Sequence, residues 1–339
     1  MKAQQKTIRV GINGFGRIGR SLYRLLLQHT GISVVVVNDI APITTLVHLL
    51  KYDSIHGRLP YEVTHKEQTI HTKDTQTLFT QHTTIEACEW DKHHVDIVIE
   101  ATGKFKSANQ LQHHLKKGVQ KVILSVPPLQ EQNDEIKMIV MGINDHLLDG
   151  SERIISNASC TTNNAAPMVK IIDELCGIQQ AYITTVHSYT TDQSLHDQPH
   201  RDLRRARAAT QSIVPTTTGA AKAITKIFPH LKDVIGGCGI RVPVPNGSLT
   251  DITFNVKNPK TISEINQRFL EASQNELKGI LHYTTDPIVS IDIIGQQYSC
   301  IFDSLMTSSI DTMVKIIGWY DNERGYSNRL IDLIYKIAL

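Results

Sequence analysis

Residues 14 to 19 read Gly14-Phe15-Gly16-Arg17-Ile18-Gly19, and what flanks this G-x-G-x-x-G spacing decides how it is read. Before it runs Ile8-Arg9-Val10-Gly11-Ile12, the apolar, β-branched texture of a buried strand. After it Ile18, Leu22, Leu25 and Leu26 recur at helical spacing. A glycine turn that leaves a strand and opens a helix is the context in which this spacing marks a dinucleotide site. Gly14 permits the tight turn, Gly16 lets the backbone approach a diphosphate, and Gly19 lets helix and sheet lie close, while helix N-terminal amides face the anion. Asp39, 20 residues beyond Gly19, is the acid expected at the end of the second strand. A carboxylate there accepts from ribose hydroxyls and repels a 2′-phosphate, so NAD is favoured over NADP.

Working outward, further strand-length runs at Ser33 to Val37, Val95 to Ile99 and Lys121 to Leu124 alternate with helical patterns, the signature of βαβ units and a parallel sheet. Thr102-Gly103 and Ser125 follow the third and fourth runs, on the side where open α/β sheets take ligands. Beyond Cys160 the texture changes. Ile252, Phe254 and Val256 alternate with Thr253 and Asn255, predicting an antiparallel sheet with one covered face. Helical stretches at Ala165 to Leu175 and Ile262 to Ser273 suit that cover, and Asn328 to Leu339 reads as a closing helix. The predicted fold is an α/β Rossmann NAD-binding domain, residues 1–159 completed by a C-terminal helix at 324–339, plus an α+β catalytic domain at 160–323 with a mostly antiparallel sheet. A chain of 339 residues suits two cores.

Composition narrows the function. With 40% hydrophobic and 20% charged residues and a net charge of +2, no overall field is available for nucleic acid or an anionic membrane. Arg201, Arg204, Arg205 and Arg207 form a local basic cluster, but few aromatics interleave with them. The opening Met-Lys-Ala-Gln-Gln-Lys carries no apolar signal core, and no stretch has spanning length, so a cytoplasmic location is the expectation. Five scattered cysteines (Cys88, Cys160, Cys176, Cys238 and Cys300) give neither a disulfide framework nor a zinc set. The 16 histidines, including the His93-His94 and His113-His114 doublets, show no metal-ligand spacing and read mostly as surface residues.

Cys160 follows the polar Ser156-Asn157-Ala158-Ser159 and precedes Thr161-Thr162-Asn163 and an apolar helical run. A cysteine at a helix start has a thiolate favoured by the amide dipoles, relative to a free pKa of about 8.5. His187 ends the strand-like run Tyr182 to Val186 and stands before polar residues. An imidazole at a strand tip can serve such a sulfur as base, but residue types and spacing leave the pairing open.

Four segments together resemble one family: 11–20 (Gly-Ile-Asn-Gly-Phe-Gly-Arg-Ile-Gly-Arg), 156–163 (Ser-Asn-Ala-Ser-Cys-Thr-Thr-Asn), 215–222 (Pro-Thr-Thr-Thr-Gly-Ala-Ala-Lys) and 319–323 (Trp-Tyr-Asp-Asn-Glu). They look like the signatures of glyceraldehyde-3-phosphate dehydrogenase, in order along nearly the whole chain. The resemblance implies that Cys160 is the nucleophile and His187 its base, and that glyceraldehyde 3-phosphate is oxidised through a thioester which inorganic phosphate then attacks. Acting first as base and then as acid suits a histidine that titrates near neutrality. It further implies that Thr190 and Arg241 hold the substrate phosphate, and that Ser159, Thr161, Thr218, Gly219 and Arg205 hold the attacking phosphate. The implied NAD-binding set is Gly14, Phe15, Gly16, Arg17, Ile18, Asp39, Thr102, Ser125, Asn322 and Tyr326, with Asn322 orienting the nicotinamide amide. A homotetramer is implied too, with the arginine-rich segment reaching a neighbour, and Pro199 agrees with NAD.

One position departs from the pattern. Asn164 stands where the family usually carries a second cysteine, four places after the nucleophile, and the chemistry above does not need that thiol. Two competing readings remain: an erythrose-4-phosphate dehydrogenase, disfavoured by the Thr218 to Lys222 pattern, and a non-catalytic NAD-binding interaction protein on the same scaffold.

Overall fold

A computed structural model describes residues 7–129 and 136–338. The chain divides into two compact units: residues 1–139, 146–158 and 327–339, and residues 140–145 with 159–326. Residues 140–145, 159 and 324–326, expected with the first domain, group with the second unit, and Leu339 lies outside the described residues.

The first unit is built on Ile8–Asn13, paired in parallel with Ile32–Asn38 on one side and Ile97–Glu100 on the other. Outward on one side lie Lys121–Leu124, Ile154–Ser156 and Lys137–Met138, all parallel. On the other side Thr75–Thr80 runs parallel to Ile32–Asn38, and Thr69–Thr72 and Val63–Lys66 continue antiparallel. Central strands covered on both faces have to be apolar throughout, and Val10, Ile12, Val36, Val37, Val98 and Ile99 are all essentially inaccessible. The fingerprint helix Arg17–Leu26 turns Leu22, Leu25 and Leu26 inward as its spacing required.

In the second unit Cys160–Cys176 and Ile262–Gln274 are the expected helices, joined by Ala220–Ile227. The sheet runs in the order Val214–Thr216, Ile235–Val242, Ile178–Ser188, Ser248–Val256, Met313–Tyr320, Cys300–Asp303, Leu281–Thr284, with Ser308–Ile310 also on Met313–Tyr320. It is mostly antiparallel; Ile178–Ser188 with Ile235–Val242, and Leu281–Thr284 with Cys300–Asp303, are the parallel pairs. Along Ser248–Val256 every second residue (Thr250, Ile252, Phe254, Val256) is buried, and those between are partly exposed. That period of two is the pattern predicted for a strand with one covered face.

Candidate active site

In the first unit the ends of three parallel strands bring Asn13, Asn38 and Glu100 together, and the fingerprint turn follows directly. Gly14 has φ +96°, and a Cβ there would stand 2.6 Å from the Thr102 amide nitrogen, so only glycine fits. A Cβ on Gly19 would meet the Gly14 carbonyl oxygen at 2.2 Å, whereas one on Gly16 would meet nothing within 4 Å. Two glycines therefore serve packing, and the third leaves open space. That space belongs to a cleft of about 230 Å³ whose lining includes Gly14, Gly16, Asp39 and Thr102. The Asp39 carboxylate accepts from the amides of Phe15 (2.6 Å) and Ala41 (2.9 Å), which stands it at the cleft edge. An open glycine backbone beside a fixed carboxylate fits a dinucleotide's diphosphate and ribose.

Other predicted cofactor residues stand differently. The Phe15 ring is buried edge-on against Tyr23, so its amide alone belongs to the turn. The Arg17 guanidinium holds Asp53 at 2.6 and 3.1 Å. Ser125 is buried, donates its amide to the Glu100 carbonyl, and is absent from the cleft lining. Sequence reading missed Asn13, Asn38 and His82, which line the cleft; the first two directly precede Gly14 and Asp39, and that adjacency was the available signal.

In the second unit the helix Cys160–Cys176 starts at Cys160 itself, the helix start expected of that residue, five residues ahead of the apolar run at Ala165. Ser159 caps it, its hydroxyl accepting from the Thr162 amide at 3.1 Å. The Cys160 Sγ lies 3.6 Å from His187 Nε2, so the fold brings together the two residues that spacing alone left unpaired. On the ring's far side, Nδ1 is 2.7 Å from the Ser188 carbonyl oxygen and 2.6 Å from Arg241 Nη1. Tyr320 packs edge-on to the imidazole, its centroid 6.0 Å away, and its hydroxyl joins those of Thr161 (2.9 Å) and Thr185 (3.0 Å).

Electrostatics correct one expectation. Burial, reinforced by the Arg241 charge, pushes His187 down to about 3, far below the neutral range expected of it. Burial likewise pushes the Cys160 thiol up, against the pull of Arg241 and the Thr161 amide. Burial thus disfavours the charged form of both sulfur and ring.

The candidate anion-binding residues share this unit. Thr218 accepts from the Ala220 amide and Gly219 caps Ala220–Ile227, so that helix presents its amide end there. Arg205 is tied to Asp192 and to the Thr216 hydroxyl. Thr190 gives its amide to Gln193. The Asn322 Oδ1 accepts from the hydroxyls of Ser188 (2.9 Å) and Ser248 (3.2 Å), which fixes the amide with its NH₂ turned away from them. Neither serine was anticipated. Tyr326 is buried.

Comparison with known proteins bears on all of this. The family model for the NAD binding domain of glyceraldehyde 3-phosphate dehydrogenase matches residues 8–108, and the model for its C-terminal domain matches residues 159–322. A glyceraldehyde-3-phosphate dehydrogenase of Mycobacterium avium is 50% identical over 98% of this chain and 99% of its own. The relative named glyceraldehyde-3-phosphate dehydrogenase 2 in Streptomyces avermitilis is 51% identical over 96% of this chain and 97% of its own, and that of Mycobacterium leprae is 48% identical over 97% and 98%. The fold and these matches define an NAD-dependent oxidoreductase acting on the aldehyde group. The chain belongs to the glyceraldehyde 3-phosphate dehydrogenase family. Its reaction is the oxidative phosphorylation of D-glyceraldehyde 3-phosphate to 1,3-bisphosphoglycerate.

Proposed function

We propose that this reaction runs through a thioester on Cys160 with His187 as base, and the 3.6 Å approach of Sγ to Nε2 is the observation that carries the reading. The imidazole takes the thiol proton as sulfur adds to the aldehyde carbon and passes it to the carbonyl oxygen, giving a hemithioacetal and leaving the ring free to accept again. His187 then accepts the hemithioacetal hydroxyl proton as hydride departs, leaving the acyl group on sulfur. Bound NAD would supply the hydride acceptor; we assign Gly14, Gly16 and Asp39 to holding it and Asn322 to orienting its carboxamide. Inorganic phosphate attacks the acyl carbon, the carbon–sulfur bond breaks, and His187 returns its proton to the departing sulfur.

We assign the substrate phosphate to Thr190 and Arg241, and the attacking phosphate to Ser159, Thr161, Thr218, Gly219 and Arg205. Hydroxyls, helix amides and guanidinium forks suit both anions. Residues 1–159 with 324–339 would act as the cofactor domain and 160–323 as the catalytic domain. A cytoplasmic homotetramer without nucleic-acid or membrane partners completes the reading. Supporting self-assembly are Leu195, Leu203 and Ile213, exposed by 62, 82 and 70%; among the described residues no helix is long and apolar enough to cross a membrane. Rapid mixing of enzyme, aldehyde and NAD without phosphate should give one burst of NADH per site, and Cys160→Ser should abolish both burst and turnover. A serine variant that still turns over removes the thioester. Comparing kcat/KM for three- and four-carbon sugar phosphates fixes the aldehyde length.

A further inference from the structure

Glu100 and His114 are both fully buried, with no exposed side-chain surface. The finding corrects the expectation of mostly surface histidines for His114. Its tautomer follows from its neighbours: Trp90 Nε1, 3.0 Å from His114 Nδ1, can only donate, so Nδ1 is an acceptor and the ring is neutral with its hydrogen on Nε2. That hydrogen points to Glu100 Oε2 at 3.1 Å. The same oxygen accepts from Asn13 Nδ2 at 2.6 Å, while Oε1 accepts from the Thr102 amide at 2.9 Å and from the Thr102 hydroxyl. The Asn13 Oδ1 in turn accepts from Asn38 Nδ2 at 2.8 Å, and the Asn38 Oδ1 accepts from the His82 amide at 2.9 Å.

Asn13, Asn38, His82 and Thr102 all line the glycine cleft, and the buried Glu100 carboxylate joins them; among the described residues its partners include no lysine or arginine. A dry carboxylate without a cation is stable only while every donor stays in place. We propose that His114 and Glu100 are positioning residues for the cofactor: Trp90 fixes the His114 tautomer, His114 fixes the Glu100 carboxylate, and Glu100 holds Thr102 and Asn13 in the geometry that receives NAD. The inference rests on assigning this cleft to the dinucleotide.

Calorimetric titration of NAD into the nucleotide-stripped full-length protein tests it, alongside thermal melts and steady-state kinetics. His114→Leu should weaken the NAD Kd by about tenfold, as losing one donor to a buried charge implies, and raise KM for NAD while leaving kcat and the aldehyde KM within about twofold. His114→Gln, which can both accept from Trp90 and donate to Glu100, should recover most of the affinity. A His114→Leu protein that melts earlier yet binds NAD with the wild-type Kd overturns the proposal, because a role in stability alone would do that. Should His114→Leu fail to fold, Glu100→Gln, isosteric but with one acceptor oxygen instead of two, is titrated in its place and faces the same two outcomes. Gly16→Ala is the control on the cleft itself. If it leaves NAD binding intact, the cleft assignment fails; if it weakens binding while the Glu100 and His114 variants bind normally, the positioning role alone fails.

Discussion

Replacing Gly16 and Gly19 by alanine, one at a time, separates the folding role of the fingerprint from its binding role. Gly16 has φ −71° and ψ −157°, values open to alanine, and its added methyl would have no neighbour within 4 Å. Alanine is a poorer helix cap than glycine by roughly 0.5 to 1 kcal/mol, while the loss of unfolded-chain freedom returns roughly 0.4 to 1. The two nearly cancel, so the stability of the free protein should change by less than about 0.5 kcal/mol. At Gly19 the methyl would lie 2.2 Å from the Gly14 carbonyl oxygen. Restoring an ordinary contact needs a backbone shift of about 1 Å, which at the usual cost of overpacking is roughly 1 to 3 kcal/mol. For a unit of this size that lowers Tm by roughly 2 to 12 °C. Differential scanning calorimetry of the stripped proteins should thus show Gly16→Ala melting with the wild type and Gly19→Ala melting earlier. Titration with NAD should show Gly16→Ala binding roughly 5 to 150 times more weakly, since its methyl stands where the diphosphate must approach. Wild-type affinity in Gly16→Ala, or equal loss of stability in the two variants, would refute the division of roles.

Three further outcomes follow from the geometry. His187→Asn should slow the phosphate-free NADH burst by roughly 100- to 10,000-fold, with the residual rate climbing as rising pH ionises Cys160; a burst within about threefold of wild type sinks the base assignment. Burial raises the Asp53 carboxyl, but Arg17 and the amides of His56 and Ile55 outweigh it and hold the group at about 2. A folded value below the unfolded one, about 3.9, gives stabilisation that is full above that pH and fades as pH falls toward 2. Asp53→Asn should therefore lose stability at neutral pH and fall less steeply than wild type in urea melts across that acid window, and parallel curves would refute it. After peroxide treatment Cys160 should appear as a sulfenic acid trapped by dimedone, because Asn164, one helical turn on, offers no thiol; an intramolecular Cys160 disulfide in peptide maps would contradict this.

The first unit was legible because its logic is local. Strand, glycine turn, helix and acid follow one another within residues 8–39, and each is marked by period or residue type. The four predicted strand runs, the alternation at Ser248–Val256 and the helix at Cys160 were readable for the same reason. What escaped depends on pairings distant in sequence. Nothing near His187 announces Arg241, 54 residues on, yet that guanidinium helps to hold the imidazole far below neutrality. Ser188 and Ser248 fix Asn322 across 134 and 74 residues. His114 looked like half of a polar doublet, and only the fold reveals that Trp90 and Glu100 enclose it. Polar residues carry no periodic signal of burial, so their partners emerge only once the strands are aligned.

Asp39 enters the structure as an acceptor for two main-chain amides, and the ribose-binding role proposed for it would tie nucleotide preference to the rigidity of the loop. A redesign toward a phosphorylated ribose must remove the carboxylate, and with it the anchor of Phe15 and Ala41. Any swap of redox currency in this scaffold therefore has to rebuild the turn as well as the charge, and the original preference is guarded by architecture as much as by repulsion.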